Sequence, residues 1–137
     1  MTKPITWTIA GSDSGGGAGI QADLKTMNAL GAMGCSVITA LTAQNTLGIS
    51  EIEYPSQSML AGQMLALSAD LPPAAVKIGM LGSTANIETI VQHLAPLNVY
   101  TVFDPVIVSS SGRALLEPHA INVLICRLMP LVHLLTP

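Results

Sequence analysis

Two carboxylates, Asp13 and Asp23, flank a run of glycines in Gly11-Ser-Asp-Ser-Gly-Gly-Gly-Ala-Gly-Ile-Gln-Ala-Asp-Leu-Lys25. Five glycines, Gly11, Gly15, Gly16, Gly17 and Gly19, fall within nine positions. Glycine permits positive φ and lets a ligand come close to the backbone. A helix starting after such a loop offers unpaired N–H groups and a partial positive charge. The segment therefore reads as a ligand-binding turn, with Asp13 and Asp23 as polar groups beside it. A Walker A loop needs Lys and then Ser or Thr after its last glycine; here Gly17 and Ala18 follow Gly16. A dinucleotide fingerprint needs an acid about 20 residues on to hold a ribose. No Asp or Glu stands between Asp23 and Glu51. A purely structural turn is the remaining alternative, and the flanking carboxylates weigh against it.

Gln44 and Asp104 are the other candidates. Gln44 follows an apolar run and offers two donors and an acceptor at a strand end, which suits a polar ligand edge. The alternative is a side chain capping loop backbone. Asp104 ends a buried run before Pro105, where a carboxylate is costly without a cation or donors; the alternative is an Asp capping the next turn. Asp23 reads either as a hydrogen-bond acceptor for a ligand or as an exposed helix charge paired with a neighbour. His93, His119 and His133 share no metal or triad spacing and read as surface or structural. Cys35 and Cys126 have no ligand-spaced partner and read as buried inert thiols.

These residues need elements to position them. Ile5–Ala10 reads as a strand and Gly19–Leu30 as a helix with Ile20, Leu24, Met27 and Leu30 at helical spacing. Cys35–Ala43 reads as a strand buried on both faces, and Thr46–Tyr54 as a short edge strand or flap. Ser56–Leu71 has a helical stripe closed by Pro72 and Pro73. Ala75–Leu81 is a strand. Thr84–Leu94 is a helix with Ser83 or Thr84 as N-cap. Val99–Val106 is a strand, Pro118–Met129 a helix, and Val132–Thr136 the start of another strand. The methionines at 27, 33, 59, 64 and 80 read mostly as core fillers. Strands alternating with helices predict an α/β fold, a parallel sheet with right-handed crossovers and helices on both faces. In such a sheet ligands bind beyond the carboxyl ends of the strands. Gly11–Gly19, Gln44–Asn45, Gly79–Gly82 and Asp104–Gly112 all follow strands, so four loops converge on one rim.

Composition narrows the function classes. Half of the 137 residues are apolar and 9% are charged, enough for one packed domain. A net charge of −3 with five Lys and Arg leaves no basic patch, and aromatics are scarce. Nucleic-acid binding is not expected. No signal peptide is visible, and the uncharged stretch from Thr26 to Ser50 divides into helix and strand rather than a membrane span. Two distant cysteines without a disulfide framework fit a reducing, cytoplasmic compartment.

Four motifs carry a resemblance: Gly11 to Lys25; Gly34-Cys-Ser-Val-Ile-Thr-Ala-Leu-Thr-Ala-Gln-Asn-Thr46; Lys77-Ile-Gly-Met-Leu81; and Asp104-Pro-Val-Ile-Val-Ser-Ser-Ser-Gly112. In this order they resemble the hydroxymethylpyrimidine and phosphomethylpyrimidine kinases of thiamine biosynthesis, in the ribokinase-like superfamily. Pyridoxal kinases of that superfamily share parts of the pattern. The resemblance implies ATP-dependent phosphorylation of 4-amino-5-hydroxymethyl-2-methylpyrimidine and of its monophosphate, with Mg²⁺, in a homodimer. It implies a substrate pocket lined by Gly11, Asp23, Gln44, Met80 and Val106, and a place for Asp104 near the phosphates and metal. It covers the family's first half only. Residues 1–137 are thus expected to be the N-terminal, substrate-binding part of a single ribokinase-like domain. The nucleotide pocket, the anion hole, an Asn-x-x-Glu segment and the catalytic cysteine belong to the family's second half; neither Cys35 nor Cys126 matches that cysteine. No catalytic residue is expected in this chain, which is expected to be inactive alone. The alternatives are a non-catalytic small-molecule binding domain, a truncated product without a stable fold, and a pyridoxal kinase-like activity in the complete protein.

Overall fold

A computed structural model describes residues 2–136. Ile5–Asp13 (β1), Met33–Asn45 (β2), Gly48–Glu53 (β3), Ala75–Ile78 (β4), Tyr100–Phe103 (β5) and Leu134–Leu135 (β6) form one six-stranded sheet. Its order is β3-β2-β1-β4-β5-β6. All neighbours are parallel except β2 and β3, which pair as an antiparallel hairpin at the edge. The flap expected over Thr46–Tyr54 is this hairpin's outer strand. The chain runs from β1 outward to β2 and β3, then returns to the other side of β1 for β4. That reversal opens a crevice between the carboxyl ends of β1 and β4.

Helices Gly19–Ala29 (α1), Gln57–Asp70 (α2) and Thr84–Leu94 (α3) connect the strands. α1 packs on β1 and β2, while α2 and α3 pack on each other. The main core joins Trp7, Ile9 and Val37 of the sheet to Leu60 and Met64 of α2 and Ile87 and Ile90 of α3. Trp7 is fully buried and its indole N–H donates to the carbonyl of Leu71 at 2.9 Å. The large ring is therefore inside without an orphaned donor. Ser56 caps α2 and Ser83 caps α3, each accepting from the backbone N–H three residues on.

Several expectations change. The strand expected over Val99–Val106 ends at Phe103, because Pro105 has no N–H for the ladder. The helix expected over Pro118–Met129 starts at Ala120 as a single α turn to Val123 (α4). It widens to π geometry over Leu124–Leu128 and tightens to a 3₁₀ turn over Met129–Leu131, where Pro130 removes a donor. Cys35 is buried, and burial pushes its thiol pKa up. Cys126 is exposed, against expectation: the π segment that carries it buries Leu124 and Leu128 instead. Met33 and Met59 are exposed while Met64 and Met80 are buried, so only part of the methionine set fills the core.

Candidate functional site

The crevice holds a cavity of about 350 Å³. All six candidates line it: Gly11, Asp23, Gln44, Met80, Asp104 and Val106. They come from β1, α1, β2 and the segments following β4 and β5. A second cavity of about 340 Å³ adjoins it under the β2–β3 turn and Ser109–Ser111.

Two bulges aim the rim. The β1–β2 register shifts between Ala10 and Gly11, and the β2–β3 register between Ala43 and Gln44. A bulge re-aims the side chains beside it. At Gly11 a Cβ would stand 3.0 Å from the Met80 sulfur, so glycine leaves room for that side chain. Met80 is itself held from behind: Thr39 Oγ1 donates to its carbonyl at 2.6 Å. Buried Asn86 donates to the carbonyls of Thr39 and Leu81, tying β2 to the turn that carries Met80.

The glycine loop is organised from within. Asp13 is 5% exposed. Its carboxylate accepts the N–H groups of Gly15, Gly17 and Ala18 at 2.7, 2.9 and 2.8 Å. The carboxylate thus occupies the place a bound anion would take at the start of α1, and Asp13 is a scaffold of the loop, not a free ligand group. The loop expected to meet a ligand lines the cavity through Ala18 and Gly19 as well as Gly11 to Asp13. Gly19 has φ +55° and packs its Cα against the carbonyl of Gly11, leaving no space for a side chain.

Asp23 is not the exposed helix charge of its alternative reading. Its Oδ2 accepts from Thr8 Oγ1 at 2.5 Å and from Lys77 Nζ at 3.0 Å, with the side chain 17% exposed. Gln44 accepts from Thr42 Oγ1 through Oε1 at 3.1 Å. Its backbone is bonded to Ser14 Oγ in both directions. Among the described residues no acceptor holds its Nε2, which leaves an amide donor at the cavity. The Asp104 carboxylate likewise meets no donor among the described residues. Its backbone N–H donates to the carbonyl of Ile78.

No group of three or more His, Cys, Asp or Glu side chains that could hold a metal ion occurs among the described residues. Asp104 lines the cavity together with Asp13 and Asp23, whose carboxylates are already engaged by loop N–H groups and by Thr8 and Lys77. His93 bonds the carbonyl of Thr89, His119 lies by Glu117, and His133 stacks on Tyr100. Lys77, Thr42 and Leu115 also line the cavity and were not singled out from the sequence. For Lys77 the signal was present: a lone cation in the apolar run Ala75–Leu81.

The family model described as phosphomethylpyrimidine kinase matches residues 13–137. The chain belongs to the phosphomethylpyrimidine kinase family. A hydroxymethylpyrimidine/phosphomethylpyrimidine kinase of Rhizobium meliloti (strain 1021) is 52% identical over 97% of this chain and 50% of its own length. The crystal structure of a phosphomethylpyrimidine kinase from Clostridium difficile 630 superposes with a TM-score of 0.92 at 52% identity, covering 98% of this chain and 59% of that one. The pyridoxal kinase from Staphylococcus aureus in complex with AMP-PCP and pyridoxal superposes at 0.81 with 31% identity, covering 99% and 48%. The ribokinase-like fold expected from the motifs is borne out. This phosphomethylpyrimidine kinase-family chain spans about half the length of the curated relatives it matches. Among the described residues, no helix is long and apolar enough to cross a membrane.

Proposed function

We propose that this chain is the pyrimidine-binding part of an ATP- and Mg²⁺-dependent kinase that phosphorylates 4-amino-5-hydroxymethyl-2-methylpyrimidine and its monophosphate. The observation that carries the reading is the convergence of Gln44, Asp23 and Met80 on one cavity of about 350 Å³ in a chain of this family. That volume suits a single substituted ring. Met80 and Val106 provide apolar walls, Gln44 Nε2 a donor, and Asp23 Oδ1 an acceptor. Gly11 keeps the floor open. Asp104 stands at the rim where a metal-bound phosphate would approach.

Residues 1–137 act as the substrate-binding part of a single domain, and the complete protein is a homodimer. The two free thiols fit a cytoplasmic setting. When bound, ATP with Mg²⁺ supplies the phosphoryl group. Phosphoryl transfer depends on donors and metal around the transferring oxygens. Here the N–H groups of Gly15, Gly17 and Ala18 are taken by Asp13, and the Asp23 carboxylate is engaged by Thr8 and Lys77. The chain alone therefore binds substrate without turning it over.

Calorimetry with the hydroxymethylpyrimidine tests the binding role. Gln44→Ala is expected to weaken affinity by roughly 1–3 kcal/mol; unchanged affinity would remove Gln44 from the site. A product assay on the purified chain with ATP tests the second part. Turnover near ~1 s⁻¹, within the usual enzyme range, would overturn it. The superposition on a pyridoxal-bound kinase favours pyridoxal as the second ligand to try, and displacement of the pyrimidine by pyridoxal at equal concentration would support that reading instead.

A further inference from the structure

Among the described residues, Lys77 is the only cation lining the cavity. Alternation along β4 buries Val76 and Ile78 in the main core and turns Lys77 to the opposite face, where α1 presents Asp23. A lysine in mid-strand costs desolvation that an apolar residue would not. Its side chain is 26% exposed and lines the cavity. A Cβ at position 79 would come within 3.0 Å of Nζ, so Gly79 keeps that space clear.

The pair is only half satisfied. Oδ2 of Asp23 takes both Thr8 and Lys77. Among the described residues no donor reaches Oδ1, and Nζ has no second acceptor. An ammonium has three donors, so two remain for whatever fills the cavity. The pair is neutral overall and offers a fixed donor beside a fixed acceptor. That pattern matches a ring nitrogen with an uncharged lone pair and a neighbouring N–H or O–H group.

We propose that Lys77, oriented by Asp23, is a specificity residue that donates a hydrogen bond to a ring nitrogen of the bound heteroaromatic substrate. The proposal rests on the reading of the cavity as a pyrimidine site. Lys77 thereby selects the neutral azine ring over rings of the same shape with C–H at that position.

The test is calorimetry on the intact protein that carries this chain. The ligands are the hydroxymethylpyrimidine and two analogues, each with one ring nitrogen replaced by C–H. One analogue is expected to bind roughly 10- to 100-fold more weakly, the scale of a lost hydrogen bond to a charged group. Lys77→Met is expected to lose a similar factor for the parent compound and to bind parent and that analogue equally. Lys77→Gln, which keeps a neutral donor, should recover part of the discrimination. The double variant Asp23→Asn/Lys77→Met removes the stranded carboxylate and should also fail to discriminate, which guards against a folding effect. If Lys77→Met weakens the parent and both analogues by one common factor, or by none, Lys77 only supports Asp23 and the proposal is overturned. Failure of the unsubstituted protein to bind the parent overturns the pyrimidine reading and this inference together. A silent Gln44→Ala with intact Lys77 discrimination overturns only the role of Gln44.

Discussion

The two rims of the cavity are built on opposite principles. The Gly11–Gly19 rim is held by short bonds within itself: Asp13 takes three loop N–H groups, and Gln21 bonds the Asp13 N–H and the Ser12 hydroxyl. The facing rim, the β2–β3 hairpin and the loop 106–116, is exposed over much of its length and joined across by a small apolar cluster, in which Ile49 and Ile52 pack with Met80, Leu115 and Val106, and by one polar side chain. Arg113 donates through one guanidinium nitrogen to the carbonyls of Ile49 and Ser50, each at 2.9 Å. The first rim can position atoms closely because its conformation is overdetermined. The second has fewer polar ties and more exposed backbone, so it is the less stable of the two.

Substitutions should separate the two. The largest effect is expected at Gly19. Any Cβ there meets the Gly11 carbonyl in a left-handed conformation, so Gly19→Ala should cost on the order of 3 kcal/mol in a urea melt. A loss below about 0.5 kcal/mol, the level of ordinary surface changes, would mean the rim is softer than its bonding implies. Asp13→Ala strands three N–H groups and is expected to cost roughly 2–4 kcal/mol, partly offset by water entering the loop.

On the other rim, Arg113→Ala should cost only about 0.5–1 kcal/mol globally. It should accelerate amide exchange in β3 and around Ser109–Leu115 while leaving the glycine loop protected. Equal acceleration on both rims would erase the contrast.

The smallest effect concerns Tyr54, whose ring lies on Gly82. Burial, then the nearby Glu117 carboxylate, raises its pKa above the ordinary 10.0, while Arg113 pulls it down. Because the folded phenol holds its proton more tightly than the unfolded one, its stabilising contribution is present below about pH 10 and is lost as pH rises through the folded value. Arg113→Ala should shift the ultraviolet titration of Tyr54 further upward, and a downward shift would show that Arg113 does not face the phenol.

Much of this was legible in the chain itself. Apolar runs located the strands, and 3.6-period stripes the helices α1, α2 and α3, to within a few residues, because burial is largely a local property of sequence. Pro72 and Ser83 marked a helix end and a cap for equally local reasons. Four motifs in order were enough to specify the family and to nominate Gly11, Asp23, Gln44, Met80, Val106 and Asp104. What each polar group does there was settled only by the partners the fold brings to it, near or far in sequence. Asp13 and Asp23 look alike beside the glycine run. One turns inward to bind N–H groups two to five residues away, and the other crosses to a lysine fifty-four residues on. The π-widened helix after Ala120, the exposure of Cys126 and the Arg113 tie across the cavity mouth likewise follow from packing. Side-chain chemistry and spacing nominate candidates, whereas desolvation and the position of a distant partner decide which oxygen or ammonium is left free to meet a ligand.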